Sequence, residues 1–130
     1  MKILIIEDER LLLRAAMAEL SVENEVSGYP HGDYYVLKFL QKREPDVIIL
    51  DINLPFYGID EEEVDSFFPF TGIYFLKKIR EISDIPIILW SAYHYSAIKE
   101  QIENYNNIYY VRKGISCFKE LSELLKTIKK

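Results

Sequence analysis

At 130 residues, with 49% hydrophobic and 28% charged side chains, the chain is long enough to bury about two-thirds of its unfolded surface in one core and too apolar to remain disordered. Its single cysteine excludes an intrachain disulfide and points to a reducing compartment. Sixteen Lys and Arg against twenty-one Asp and Glu leave a net charge of −5, which offers no broad basic face to a nucleic-acid backbone.

No apolar run reaches the roughly 20 residues that cross a bilayer, and the opening MKILIIEDE meets acid too early for a signal peptide, so a cytoplasmic domain without membrane contact is expected. Five runs read as strands: Lys2 to Ile6, Glu25 to Tyr29, Val47 to Leu50, Pro86 to Trp90 and Ile108 to Val111. Four of them are almost continuously apolar, as strands buried on both faces of a parallel sheet must be. Glu25 to Tyr29 is more polar, carries Gly28 and reads as an edge.

Between the runs the apolar spacing changes to a helical period. Leu12, Ala16 and Leu20 form one stripe, followed by Val36, Leu37 and Leu40 between Asp33 and Arg43. Phe75, Leu76, Ile79 and Ile82 form the third, Ile98, Ile102 and Tyr105 the fourth, and Phe118, Leu121, Leu125 and Ile128 the last. Strand-then-helix units of this length require right-handed crossovers, so residues 1–130 are expected to form one α/β domain, an open sheet with helices on both faces.

One connection breaks the rhythm. Residues 56–71, between Pro55 and Gly72, show no period and include Asp60, Glu61, Glu62, Glu63 and Asp65 without a basic residue, so they carry −5 and the remainder sums to zero. Phe56, Tyr57, Phe67, Phe68 and Phe70 bracket these acids. Loops of this length are functional or mobile elements, and both a solvent excursion and a lid or docking element fit the pattern. The lone Cys117 reads as a small thiol near a helix start, and His31 and His94 as surface or capping residues, since neither has a partner at zinc-ligand spacing.

In an open α/β sheet, ligands collect beyond the carboxyl ends of the strands. There the chain places Glu7 and Asp8, then Asp51 with Asn53, then Ser91, then Lys113. Singly each has an ordinary explanation as a helix cap, a strand end, a turn or a solvated lysine. Jointly they bring three acids, a hydroxyl and an ammonium together. Acids that share a cleft need a proton or a bound cation between them, and an all-oxygen set suits Mg²⁺. A carboxylate beside such an ion can attack a phosphoryl group and become an aspartyl phosphate, with Lys113 and Ser91 on the remaining oxygens.

The segments IIEDE, DINLP, WSA and YVRK, in this order, resemble the receiver domain of two-component response regulators over essentially the whole chain. The resemblance implies a flavodoxin-like, doubly wound five-stranded parallel sheet of order 2-1-3-4-5. It implies Asp51 as phosphoacceptor, Mg²⁺ held by Asp8, Asp51 and the Asn53 backbone carbonyl, and Glu7 acting mostly through metal-bound water. Ser91 and Lys113 would contact the phosphoryl group, Tyr110 would be a rotating aromatic switch, and Asn53 and Tyr93 would tune the lifetime of the modified state. A face built from the fourth helix, fifth strand and fifth helix, lined by Tyr95, Tyr105 and Tyr109, would then change its surface.

On the same resemblance the chain is a signalling protein rather than a turnover enzyme and catalyses only its own phosphorylation and dephosphorylation. Its donor would be a sensor histidine kinase or a phosphotransfer protein. Because no output domain follows Lys130, its reader would be a downstream protein effector, unless the sequence is a receiver cut from a longer regulator; a phosphorylation-dependent homodimer is a further option. Two features depart from the family pattern: Gly114 stands where many receivers have a proline after the lysine, and the insertion between Pro55 and Gly72 is far longer than usual. They keep open a non-phosphorylated interaction module on the same fold. A phosphatase similar to the haloacid dehalogenases fits less well, since Glu7-Asp8 is not two aspartates one residue apart, and no glycine-rich turn marks a dinucleotide site.

Overall fold

Unbroken apolar sequence forces burial on both faces, and the strands obey it. β1 (Lys2–Ile6) sends Ile3 and Ile5 to one side and Leu4 and Ile6 to the other, while β4 (Val47–Leu50) is buried along its length. With β2 (Glu25–Tyr29), β6 (Ile87–Ser91) and β7 (Ile108–Arg112) they form one parallel sheet of order β2-β1-β4-β6-β7. Counting these five strands alone, the order is the expected 2-1-3-4-5. The computed structural model describes residues 1–57, 62–63, 66–67 and 69–129, with the backbone alone for Phe56 and Tyr57.

Helices cover both faces, as the crossover rule requires. α1 (Arg10–Leu20) and α5 (Cys117–Lys129) close over Ile3, Ile5, Ile49, Ile88 and Trp90. α2 (Tyr34–Lys42), α3 (Thr71–Ile82) and α4 (Tyr95–Ile102) close over Leu4, Ile6, Ile48, Leu50 and Leu89. Two helix starts carry side-chain caps: Asp33 accepts from the Val36 N–H at 2.9 Å, and His94 Nδ1 accepts from the Ser96 N–H at 3.2 Å. Cys117 is buried at the start of α5.

Four details depart from the periodicity reading. The buried stripe of α1 is Leu13, Ala16 and Leu20, with Leu12 only half-buried, because its core face runs at intervals of three and four from Leu13. α4 ends at Ile102, so Tyr105 packs on the core from the following loop. Ile82, in the last turn of α3, is 41% exposed. β6 runs to Ser91, whose register partner is Arg112.

Beyond the main sheet, two short strands that no periodicity marks pair in parallel. β3 (Gly32–Asp33) aligns with β5 (Phe56–Tyr57), and the Gly32 N–H donates to the Pro55 carbonyl at 3.1 Å. The insertion therefore leaves the fold along a backbone ladder. On its return, Phe67 meets Tyr74 of α3 edge to face at 5.5 Å, and Lys77 lies 3.6 Å from Glu63. Asp60, Glu61, Asp65 and Phe68, on which the choice between a solvent excursion and a lid turns, lie outside the described residues.

Candidate functional site

Parallel pairing brings the strand ends to one edge, and the backbone then locks them. The Glu7 N–H donates to Tyr29 and the Asp51 N–H to Ile6, each at 3.0 Å, while the Lys113 N–H donates to the Ser91 carbonyl at 2.8 Å. Residues far apart in sequence thus leave the sheet side by side. Glu7, Asp51 and Ser91 are buried there at 0, 4 and 1% exposure, the only buried polar or charged residues among those described. Asp8 is exposed at the mouth. One carboxylate oxygen each from Glu7, Asp8 and Asp51 lies within 4.8 Å of the others.

Buried acids at such distances need positive charge, and Lys113 supplies it. Its Nζ lies 2.8 Å from Glu7 Oε2 and 3.4 Å from Asp51 Oδ2, and sits 5.3 Å above the Trp90 ring. Nothing lies within 4 Å of where a Cβ of Gly114 would project, so the lysine reaches the cleft with open space beside the residue that replaces the family's proline.

Burial dominates the proton affinities. It pushes the Asp51 carboxyl up to about 8, helped by the negative charge of Glu7 and opposed by Lys113 and by the Asn53 N–H. Burial also raises Glu7, against its hydrogen bond to Lys113. Desolvation pulls the Lys113 ammonium down, but the hydrogen bond it donates to Glu7 and the charges of Asp51 and Glu7 outweigh it and leave the pKa raised. The cluster holds more acid than one lysine neutralises. A set of carboxylates open to solvent at Asp8 is the donor chemistry of a hard divalent cation, so the residues fit Mg²⁺.

The other expected residues fall around this cluster with different partners. Asn53 is exposed, and its backbone N–H donates to Asp51 Oδ1 at 3.2 Å, orienting the carboxylate. Ser91 stands at the site end of β6, but its hydroxyl accepts from the Tyr93 N–H at 3.0 Å and has no hydrogen bond to Asp51 or Lys113 among the described residues. The Tyr110 hydroxyl donates to the Tyr93 carbonyl, and its ring meets Tyr95 edge to face at 5.6 Å. Tyr93 is half-buried against Phe70, ring centroids 5.1 Å apart.

Sequence reasoning missed Trp90 beneath Lys113 and Phe70 against Tyr93. Strand alternation gives a signal for the first, since Trp90 precedes Ser91 and faces the other side of the sheet. None marks the second.

The family model described as the response regulator receiver domain matches residues 3–128. Among curated proteins, the response regulator protein GraR of Staphylococcus aureus is 30% identical over 93 residues and that of Staphylococcus haemolyticus 25% identical over 101. Each alignment covers 71% of this chain and 35% of the relative, so the chain spans about a third of the length of these relatives. Among solved structures, the response regulator TrrA of Thermotoga maritima, in complex with Mg²⁺-BeF, is 27% identical with a TM-score of 0.73, covering 98% of this chain and 97% of that one. The Vibrio cholerae chemotaxis protein CheY4, at 22% identity, has the same fold with a TM-score of 0.77 over 98% of this chain and 97% of that one.

Proposed function

The chain belongs to the response regulator receiver domain family, and from that premise we propose that it is a phosphoacceptor of a two-component relay, modified on Asp51. The observation that carries the reading is the Lys113 ammonium between Glu7 and Asp51, with Asp8 completing a three-carboxylate cluster. A purely adhesive domain gains nothing from burying two carboxylates whose proton affinities are thereby raised, whereas a reactive site does. That cost argues against the non-phosphorylated module.

In this reading an Asp51 carboxylate oxygen forms the bond to phosphorus while the bond from phosphorus to the donor's leaving group breaks. The Asn53 N–H fixes one oxygen of Asp51 and leaves the other for attack. Lys113, already beside Oδ2, favours the ionised form of Asp51 against its burial and then follows the charge onto a phosphoryl oxygen. Mg²⁺, held by Glu7, Asp8, Asp51 and the Asn53 carbonyl, would neutralise charge on the transferred group. Ser91, whose oxygen accepts from the Tyr93 N–H, joins by donating its O–H to a phosphoryl oxygen. Movement of Ser91 toward that oxygen carries the loop whose carbonyl Tyr110 holds, and so alters the face of α4, β7 and α5. On this face Tyr95 is exposed, while Tyr105 and Tyr109 are partly buried.

The donor in this proposal is a sensor histidine kinase or phosphotransfer protein and the reader a protein effector or a second copy of the chain. No helix among the described residues is long and apolar enough to cross a membrane, and we assign the domain to the cytoplasm, where such a relay would reach it.

Exposure to acetyl phosphate with Mg²⁺, followed by intact-mass measurement, tests the reading. One added phosphoryl group, lost on treatment with hydroxylamine, is the expected result, and no added mass overturns it. A second expectation concerns Tyr93, whose ring restricts water beside the site. Tyr93→Ala should lose its phosphoryl group about 2- to 10-fold faster than the parent, the effect of one aromatic contact. Equal or slower loss refutes that role.

A further inference from the structure

The acidic insertion returns to the fold at a point that neither the sequence pattern nor the site chemistry explains. Phe70 lies immediately before α3, half-buried against the core face formed with α2, α3 and α4. Its ring stands edge to face on Tyr93, with centroids 5.1 Å apart and planes at 82°. Tyr93 is joined twice to the machinery above: its N–H donates to the Ser91 hydroxyl, and its carbonyl accepts from the Tyr110 hydroxyl. Tyr110 in turn meets Tyr95 at the start of α4. A continuous path of contacts therefore runs from the insertion's last residues through Tyr93 to the switch and to the first turn of α4.

The near end of the path is anchored. The Ile73 N–H donates to the Phe70 carbonyl at 2.9 Å and the Phe70 N–H to the Phe67 carbonyl at 2.7 Å, while Phe67 packs edge to face on Tyr74. Lys77 reaches Glu63 at 3.6 Å and the Phe67 ring at 6.0 Å. A force on these residues is met by α3 rather than by solvent. The loop after β6 meets this anchored segment where Tyr93 packs edge to face on the Phe70 ring.

We infer that Phe70 is a positioning residue: it holds the Tyr93 loop against the phosphoryl site, so that the insertion regulates both the lifetime of the aspartyl phosphate and the setting of Tyr110. This rests on the proposed phosphorylation of Asp51 and adds a regulator that the site residues do not include. Ser91 reaches a phosphoryl oxygen by donating its O–H while its oxygen accepts from the Tyr93 N–H, and a loop braced by Phe70 keeps that hydroxyl and the Tyr93 ring beside the cleft. Without the brace, the loop moves away from the cleft and water gains access to the acyl phosphate, whose hydrolysis returns the Asp51 carboxylate and free phosphate.

The test uses the full chain with Phe70→Ala, Phe70→Leu and Phe70→Tyr. After loading from acetyl phosphate and Mg²⁺ and removal of the donor, loss of the phosphoryl group is followed by intact mass. The amide resonances of Tyr93 and Tyr110 are recorded in parallel on the unmodified proteins. Phe70→Ala and Phe70→Leu should lose phosphate about 2- to 10-fold faster than the parent, with both resonances displaced, and Phe70→Tyr should restore rate and resonances. Leucine preserves apolar volume without a ring, so it separates the edge-to-face brace from bulk packing should the alanine variant fold poorly. In Phe70→Leu/Tyr93→Ala the two effects should not add. Parental decay in Phe70→Leu with both resonances unmoved overturns the inference. If the parent itself takes up no phosphate, the functional reading fails, and the resonances alone still decide whether Phe70 sets the Tyr93 loop.

Discussion

Asp51→Asn is expected to abolish phosphoryl uptake and, in the same protein, to stabilise the metal-free fold by about 2 kcal/mol at neutral pH. The two effects have one origin. Burial, and then the charge of Glu7, raise the Asp51 carboxyl from 3.8 to about 8. The folded protein therefore holds a proton that the unfolded chain releases near its ordinary value. Stability from this group is complete below about 3.8 and is lost progressively as the pH rises through about 8. Counted from the unfolded value to neutral pH, the shift amounts to about 4 kcal/mol at most, and relaxation around a site open at Asp8 brings it to about 2 kcal/mol. Asparagine keeps the shape and removes the charge, so its stability should vary less with pH across that window. Urea unfolding in the presence of EDTA from mildly acid to mildly alkaline pH measures both. An asparagine variant that is less stable than the parent, or that keeps the parent's pH slope, contradicts the account. Because Mg²⁺ competes with the same proton, its affinity for the parent should rise as the pH climbs toward 8.

How much of this was legible in the sequence follows from which forces are local. The β1 and β4 runs match their strands because continuous Ile, Leu and Val leave no alternative to two-sided burial. The convergence of Glu7, Asp8 and Asp51 was legible because a topological rule fixes where parallel strands end. That rule names positions, not rotamers. It puts Ser91 at the cleft but says nothing of its hydroxyl, which the Tyr93 N–H, two residues on, engages first. Likewise β3 and β5 have two residues each, too few for any period, and their pairing is a tertiary consequence of where Pro55 meets Gly32. The Phe70–Tyr93 contact joins a loop with no period to another loop, so composition could mark the aromatics but not their partners.

Gly72→Ala should be the most destructive single substitution outside the acidic cluster, for a reason that lies in the backbone. A Cβ at this position would collide with the Asp51 carbonyl oxygen and come within 2.6 Å of both Cα and the carbonyl oxygen of Ile52. All three are main-chain atoms at the exit of β4, so no flexible side chain can give way. The Gly72 N–H also donates to the Ile52 carbonyl, and the Thr71 hydroxyl to the Leu54 carbonyl, which fastens the first turn of α3 onto the segment that carries Asp51. The methyl group must either lift α3 from the sheet or push Asp51 out of register with Lys113. Overpacking against immovable backbone costs about 3 kcal/mol or more. The folded fraction that remains should also take up phosphate more slowly, because one of the displaced atoms is the carbonyl oxygen of Asp51 itself and the other two belong to its neighbour Ile52. Gly114→Ala is the matched control: with open space around its Cβ it should change stability by no more than about 0.5 kcal/mol. Chemical denaturation of the pair decides the point. Equal losses in both would mean that the close approach of α3 to the Asp51 carbonyl does not hold the site together, whereas a large loss confined to Gly72 ties the packing of that helix to the geometry of the phosphoacceptor.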